Sequence, residues 1–99
     1  MAKTSVKSFS QSLGVLEVRG MTAGIQAMDV MCKSADVEVV GTRIFDSSIL
    51  IVLHGEFNAV SAVLEMGVRQ ARELGAVVVK QVIAKPHAET LKLLQAMGL

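Results

Sequence analysis

The side chains best suited to chemistry in this chain are one cysteine and two histidines. Cys32 is a potential nucleophile, but it falls within the apolar spacing of a predicted helix, which favours a buried and inert thiol. His54 and His87 stand far apart, and neither has a cysteine or aspartate at the spacing of a zinc site. The sequence therefore predicts no metal, no cofactor and no catalytic residue. A small enzyme that uses His54 or His87 is kept as an alternative.

Acidic residues and glycines do not supply a catalytic pattern either. No two carboxylates are placed in a way that nominates a general acid–base pair. Gly20 and Gly24 stand between a predicted strand and a predicted helix, as in a phosphate-binding loop, but the rest of the glycine pattern is missing. We therefore expect a protein that is not an enzyme. The acidic side chains considered are Glu17, Asp29, Glu56, Glu65, Glu73 and Glu89.

The composition limits the class of protein further. The chain has 99 residues, of which 52% are hydrophobic and 19% charged, so one small domain is expected. The high hydrophobic fraction indicates a core rich in small residues, apolar surface buried between copies, or both, and the second explanation favours an oligomer. A net charge of +1 and only three aromatic residues argue against nucleic acid as a partner. No apolar run is long enough for a membrane helix. A single cysteine fits a reducing cytosol.

Hydrophobic periodicity predicts an α+β fold. Residues 1–12 are polar and are expected to form a flexible arm without a secretory signal, followed by one domain over residues 13–97. The element order is that of a split βαβ (ferredoxin-like) fold, in which an antiparallel four-stranded sheet carries two helices on one face, with a short helix appended. The predicted elements are Leu13–Arg19, Thr22–Ala35, Val37–Ile44, Ile49–Leu53, Phe57–Leu74, Ala76–Ile83 and Ala88–Met97.

The first helix carries two further expectations. Thr22 is the expected N-cap residue, because a threonine side chain can accept a hydrogen bond from a free amide of the first turn. The apolar residues recur at spacings of three and four, so they should share one buried face. The residues of that face are Ile25, Met28, Met31, Cys32 and Ala35.

Five short motifs, in order along the chain, resemble the bacterial microcompartment shell domain (BMC domain) of the ordinary single-domain type. The first is Gly-Val-Leu-Glu-Val-Arg-Gly at residues 14–20, where family members typically read Gly-Met-Ile-Glu-Thr-Arg-Gly. The others follow in the family's order: the helix stretch Gly24–Lys33, the strand start Val37–Gly41, His-Gly-Glu at residues 54–56, and the ending Val82–His87.

The resemblance implies a function in assembly. Family members form cyclic hexamers that tile into sheets, and the sheets enclose metabolic enzymes in a polyhedral shell in the bacterial cytoplasm. A central pore passes small metabolites. The partners implied are further copies of the chain and other shell proteins of the same compartment, with the encapsulated enzymes as further candidates. The alternative is a small oligomeric regulatory module of ferredoxin-like fold that binds a ligand between subunits, although no phosphate-binding loop is present.

Residues at the border between hexamers can be carried over from the family. Lys33 corresponds to the lysine that lies along the contact between neighbouring hexamers, and Asp36 stands where many members have asparagine. Lys85 corresponds to the arginine that inserts across the border, and a lysine offers one point charge in place of a planar fork of donors. Pro86 and His87 shape the exit from the last strand, with a capping or packing role expected for His87.

The predicted pore loop differs from that of the family. Family members have Lys-Ile-Gly-Ser-Gly or a close variant here, whereas this chain has Phe45, Asp46, Ser47 and Ser48, without either glycine. Six copies of Asp46 around an axis would form a negative ring that favours cations and neutral solutes, and six copies of Phe45 would narrow the opening. The sequence leaves open which side chain points inward and whether the loop supports a flat hexamer.

Overall fold

The computed structural model describes residues 11–99, except for the side chain of Val77. Most of the predicted arm, residues 1–12, therefore lies outside the described residues, and the first strand begins at Ser12. The described elements are β1 (Ser12–Arg19), α1 (Met21–Cys32), β2 (Val37–Phe45), β3 (Ser48–Gly55), α2 (Phe57–Glu73), β4 (Val77–Ile83) and α3 (Ala88–Ala96).

The four described strands form one antiparallel sheet in the order β2-β3-β1-β4. Each crossover through a helix leaves room for one strand between the strands it joins, as the split βαβ arrangement requires. β1 lies inside the sheet and is paired along most of its length, from Leu13 opposite His54 to Arg19 opposite Ser48. The predicted fold class is confirmed.

The two faces of the sheet are covered differently. Alternate residues of β1, Leu16 and Val18, belong to the core that α1 and α2 form on one face. Leu13 points to the other face, where it packs in a smaller cluster with Leu91 and Leu94 of α3. The short last helix therefore lies on the face opposite to the two longer helices.

The apolar face predicted for α1 is only partly the one that the structure buries, since Met31 is buried and Met28 packs against the core but the other predicted members do not. Ile25 is 58% exposed and Cys32 is exposed. A Cβ atom on Gly24 would overlap the side chain of Ile49 in β3, so the helix backbone lies almost against the sheet. Closeness of approach, rather than side-chain size, thus selects the buried face, which consists of Ala23, Gly24, Ala27 and Met31.

The prediction of Thr22 as N-cap is also wrong. α1 begins at Met21, and Gly20 occupies the N-cap position without a side-chain hydrogen bond. Gly20 has φ 120°, a conformation that residues with a Cβ rarely adopt. The reversal from strand into helix requires that conformation, so the helix begins two residues earlier than a threonine cap at position 22 would place it.

α2 is defined at both ends by its own sequence. The Glu56 carboxylate accepts hydrogen bonds from the amides of Asn58 (2.8 Å) and Ala59 (3.2 Å), which satisfies two free donors of the first turn. Gly75, with φ 80°, follows the end of the helix, where glycine adopts this conformation readily. No helix within residues 11–99 is both long enough and apolar enough to cross a bilayer.

A β-bulge changes the register between β2 and β3. The pairing shifts between Val39 and Gly41, so that Val40 is the extra residue and lies buried in the cluster beneath α3. Beyond the bulge, Glu38 is opposite His54. Without it, the alternation counted from the hairpin would place Val39 there instead.

Candidate functional site

The residues expected to carry the function lie at two opposite ends of the sheet. The hairpin between β2 and β3 forms one end, and it contains the predicted pore loop. Asp36 precedes β2 and Lys85 follows β4, so both lie at the other end. β3 runs between the two ends with eight residues, which corresponds to about 26 Å of extended chain.

The hairpin turns through a two-residue loop, Asp46 and Ser47. Asp46 has φ 53°, and it is the only residue other than glycine with positive φ within residues 11–99. Two-residue hairpin loops require such a conformation, which aspartate tolerates better than most residues. Phe45 is 47% exposed, whereas Ser48 is buried where β3 starts. The tip of the hairpin therefore presents the Asp46 carboxylate to solvent.

Two arginines lie near this hairpin. Arg19 is opposite Ser48 and Arg43 is opposite Leu50, so both side chains belong to the face of the sheet that carries α3. Both are exposed. None of the ion pairs within residues 11–99 includes Asp46. The negative charge at the tip is thus accompanied by positive charges on one face.

Lys33 and Asp36 lie beside the other end of the sheet. Lys33 is the C-cap residue of α1, and its Nζ is 2.8 Å from Oδ2 of Asp29, one helical turn earlier. The hydrogen bond and the charge of Asp29 raise the pKa of Lys33 above its ordinary value. Asp36 is exposed, and its amide donates to the hydroxyl of Ser34 at 3.2 Å.

Lys85, Pro86 and His87 follow β4 at the same end. Lys85 is exposed and Pro86 is buried. The Nδ1 atom of His87 accepts a hydrogen bond from the amide of Glu89 at 3.0 Å and caps α3, which is one of the two structural roles expected for it. Beside Lys85 lies an open cavity of about 380 Å³, also lined by Gln11, Ser12, Glu56, Phe57 and Ala84.

His54 is the residue whose surroundings the sequence did not reveal. The residue is 8% exposed, and its Nε2 atom is buried without a hydrogen-bond partner within residues 11–99. A buried polar atom without a partner costs about 1–3 kcal/mol. His54 lines an open pocket of about 230 Å³ whose other lining residues are Gln11, Ala35, Asp36, Val37, Glu38, Gly55 and Glu56.

Neither a metal-binding cluster nor an activated thiol is found among residues 11–99. Within residues 11–99, no three histidine, cysteine, aspartate or glutamate side chains are placed to hold one metal ion. Cys32 is exposed rather than buried, contrary to prediction. Partial burial, and then the charge of Asp29, raise the pKa of its thiol. The thiol is therefore protonated at neutral pH, whereas a nucleophilic cysteine has a lowered pKa.

The sequence of the chain matches a known protein family and several of its members. The BMC domain family matches residues 12–86. The chain is similar to the bacterial microcompartment shell protein PduA of Citrobacter freundii, with 38% identity over 85 residues that make up 85% of this chain and 91% of that protein. It is also similar to the carboxysome shell protein CsoS1 of Prochlorococcus marinus strain SARG, with 35% identity over 80 residues, or 79% of this chain and 78% of that protein.

The fold of the chain is also similar to that of a solved microcompartment protein. The crystal structure of a microcompartment protein from Desulfitobacterium hafniense DCB superimposes with a TM-score of 0.76 at 29% sequence identity. The match covers 87% of this chain and 49% of that protein, so the chain spans about half its length. The chain belongs to the BMC domain family of microcompartment shell proteins, which confirms the resemblance of its five sequence motifs.

Proposed function

We propose that this shell protein assembles into a closed ring of six copies that tiles a microcompartment shell in the bacterial cytoplasm, with a pore at the ring centre. The observation that carries the proposal is the position of the pore-loop and border residues at opposite ends of one sheet. Such a subunit can direct its hairpin toward a central axis and its other end toward neighbouring rings. The similar proteins named above are shell proteins, which supports the same function.

The lateral edges of the sheet provide surfaces for contacts within the ring. β2 and β4 are the outer strands of the described sheet. Each carries an exposed apolar side chain, Ile44 on β2 and Val79 on β4, and both are 63% exposed. A ring closes through contacts between unlike surfaces, and two different edges of one sheet meet that requirement.

We assign Asp46 to the narrowest part of the pore. It lies at the tip of the hairpin, and six copies would form a ring of carboxylates that attracts cations. Arg19 and Arg43 lie further back on the face with α3, so that this face of the ring would be positive around the opening. Phe45, which precedes Asp46 and is half-exposed, would form part of the wall.

The border between rings would be formed at the opposite end. Lys33, Asp36 and Lys85 are all exposed there. Lys33 is already paired with Asp29 of its own chain, which holds its long side chain in one direction. Lys85 forms no ion pair within residues 11–99, so its amine is available to carbonyl oxygens of a neighbouring ring. Pro86 and His87 would position it, and other shell proteins of the compartment are the further partners.

Electron microscopy of lysine variants tests the proposed assembly into rings and sheets. We expect the purified protein to form hexameric rings and sheets, and Lys33→Ala to leave rings but no sheets. Lys92→Ala is the control, because Lys92 is also exposed and paired with a carboxylate of its own helix, Glu89, but lies on α3. A uniform trimer that binds ATP would overturn the tile in favour of the regulatory module. Sheets of unchanged extent in Lys33→Ala would overturn the assignment of Lys33.

Ion selectivity tests the pore. Asp46→Asn removes the charge and keeps a residue that tolerates positive φ. In planar bilayers that contain the assembled protein, a potassium chloride gradient should give a reversal potential with reduced cation preference for this variant. Asp36→Asn removes a carboxylate at the far end and should leave the reversal potential unchanged. An unchanged potential in Asp46→Asn, or failure of that variant to assemble, would refute the assignment.

A further inference from the structure

The charges near the proposed pore are divided unequally between the two faces of the sheet. Arg19 and Arg43 are exposed on the face that carries α3, and each is paired with a residue of β3. Neither arginine forms an ion pair within residues 11–99. Glu17 lies on the same face, opposite Leu50, and is partly buried. This face therefore has an excess of one positive charge per copy beside the hairpin.

The face that carries α1 and α2 has no such excess beside the hairpin. The start of α1 covers it there, because a Cβ atom on Gly24 would overlap Ile49, the second residue of β3. Residues 21–28 of α1 include no charged side chain. α2 packs mainly on β1 and β4, to the side of the hairpin, and it ends with Arg72 and Glu73, whose charges offset each other. Within the described part of the chain, the positive charge beside the hairpin thus belongs to the face with α3.

The negative charge of the hairpin tip lies next to this positive face without being cancelled by it. Asp46 is exposed at the tip. Arg43 precedes it by three residues, or about 10 Å of extended chain, and Arg19 is opposite Ser48, about 7 Å beyond it. These separations are similar to the Debye length, which is about 10 Å in 0.1 M salt. In a ring, the carboxylates and the arginines would therefore form two adjacent regions of opposite charge.

We propose that the pore rectifies ionic current, which means that it conducts more at one polarity of the voltage than at the other. This inference rests on the proposed ring of six copies with Asp46 at its narrowest part. Anions concentrate near the arginines and cations near the carboxylates. When the compartment on the α3 side is negative, the voltage drives both kinds of ion toward the boundary between the two regions, so the local ion concentration and the conductance rise. The opposite voltage draws both kinds of ion away from the boundary and lowers the conductance.

Arg19 and Arg43 thus have a function that differs from that of Asp46. The carboxylates of Asp46 set which sign of ion passes more easily, whereas the arginines set the direction in which ions pass more easily. A pore with the carboxylates alone would prefer cations without a preferred direction, because neither of its mouths would carry a net charge.

Single-channel recording in planar bilayers, with equal potassium chloride on both sides, tests the inference. Single channels are required because channels inserted in opposite orientations cancel in an average. Currents at equal and opposite voltages should differ about twofold in 0.1 M salt and become equal in 1 M salt, where the Debye length is only about 3 Å. Equal currents in the dilute salt would overturn the inference.

A label on α3 identifies the expected polarity. Leu93 is 60% exposed on α3, so biotin attached to a Leu93→Cys variant is accessible to streptavidin. The variant also carries Cys32→Ser, because Cys32 is exposed and would be labelled too. Streptavidin added to one compartment should reduce the current only in channels whose α3 face is turned to that side. The larger current is expected when that compartment is negative, and the reverse polarity would contradict the inference.

Arginine variants separate the inference from the proposed pore. Arg19→Gln combined with Arg43→Gln should give equal currents at both polarities, while a potassium chloride gradient still shows cation preference. Arg72→Gln removes an exposed arginine from the end of α2 and should leave rectification unchanged. Rectification that persists in the double variant would overturn the inference and leave the pore assignment intact, whereas absence of any conductance in the unsubstituted chain would contradict both.

Electron microscopy and circular dichroism establish that each variant forms rings and is folded. If the double variant does not form rings, the salt dependence of the unsubstituted chain decides the question, because it requires no substitution.

Discussion

The backbone amide of Gly20 donates a hydrogen bond of 2.8 Å to the carbonyl oxygen of Ser47. This bond joins the end of β1 to the hairpin loop between β2 and β3. The loop is therefore held by its own strands and by a third element. The hairpin closes in this way although neither family glycine is present, with Asp46 in the left-handed conformation that a glycine would adopt readily.

Asp46→Val should lower the free energy of unfolding by about 1–2 kcal/mol. A β-branched residue is strained at φ 53°, where aspartate is tolerated. Urea denaturation measures the change. Ser47→Val is the control, because Ser47 does not have positive φ, and it should cost less. Equal costs for the two variants would mean that backbone strain is not the cause.

Gly24→Ala should destabilise the protein by about 1–3 kcal/mol, although alanine is the better helix former. The added Cβ would overlap the side chain of Ile49, which is buried and has little freedom to move. In an Ile49→Ala background the same change should cost nothing or stabilise α1. A double-mutant cycle by urea denaturation measures this coupling, and strict additivity would contradict the proposed contact.

Asp29→Asn should reduce stability at neutral pH and have less effect at high pH. Asp29 raises the pKa of Lys33 above 10.5, its ordinary value. A raised lysine pKa stabilises the fold fully below the unfolded value, and this contribution is lost as the pH rises through the folded pKa. Urea titrations of both proteins should therefore converge above pH 10.5. In a Lys33→Gln background the difference should vanish, and a difference independent of pH would contradict the pairing.

Lys85→Arg should strengthen the contact between rings. Lys85 is exposed at the border end, and an arginine there would donate several hydrogen bonds in a fixed plane where lysine offers one point charge. Sheets should then form at a lower protein concentration, as measured by light scattering and microscopy. Lys92→Arg, the same change on α3, should leave the threshold concentration unchanged, and a matching decrease there would indicate a nonspecific effect.

Element order, hairpin and family were predictable because each depends on local patterns. Strands and helices follow from hydrophobic periodicity, and the motifs keep their order along the chain. The buried face of α1 was not predictable in this way. Periodicity gives weight to large apolar residues such as Ile25, whereas the structure buries Ala23 and Gly24 because the backbone of the helix lies close to β3.

The pocket around His54 depends on a single irregularity. Regular alternation from the hairpin would pair His54 with Val39 and give an apolar contact. One extra residue, Val40, shifts Glu38 into that position. A bulge of this kind has no dependable sequence signal, since it is set by the fit of Val40 into the cluster beneath α3. Glu38 and His54 can both be read from the sequence, but their position opposite each other in the sheet cannot.

The length of the strands also separates two sets of charges. About 26 Å of extended chain lies between the hairpin tip and the ends of β3 and β4, whereas a charge in physiological salt is screened within about 8 Å. Substitutions of Asp46 should therefore leave the electrostatic potential at Lys33 and Lys85 unchanged. In the proposed assembly, the charge at the pore and the contacts between rings can consequently be altered one at a time, so that ion selectivity can be redesigned without a change in the border between rings.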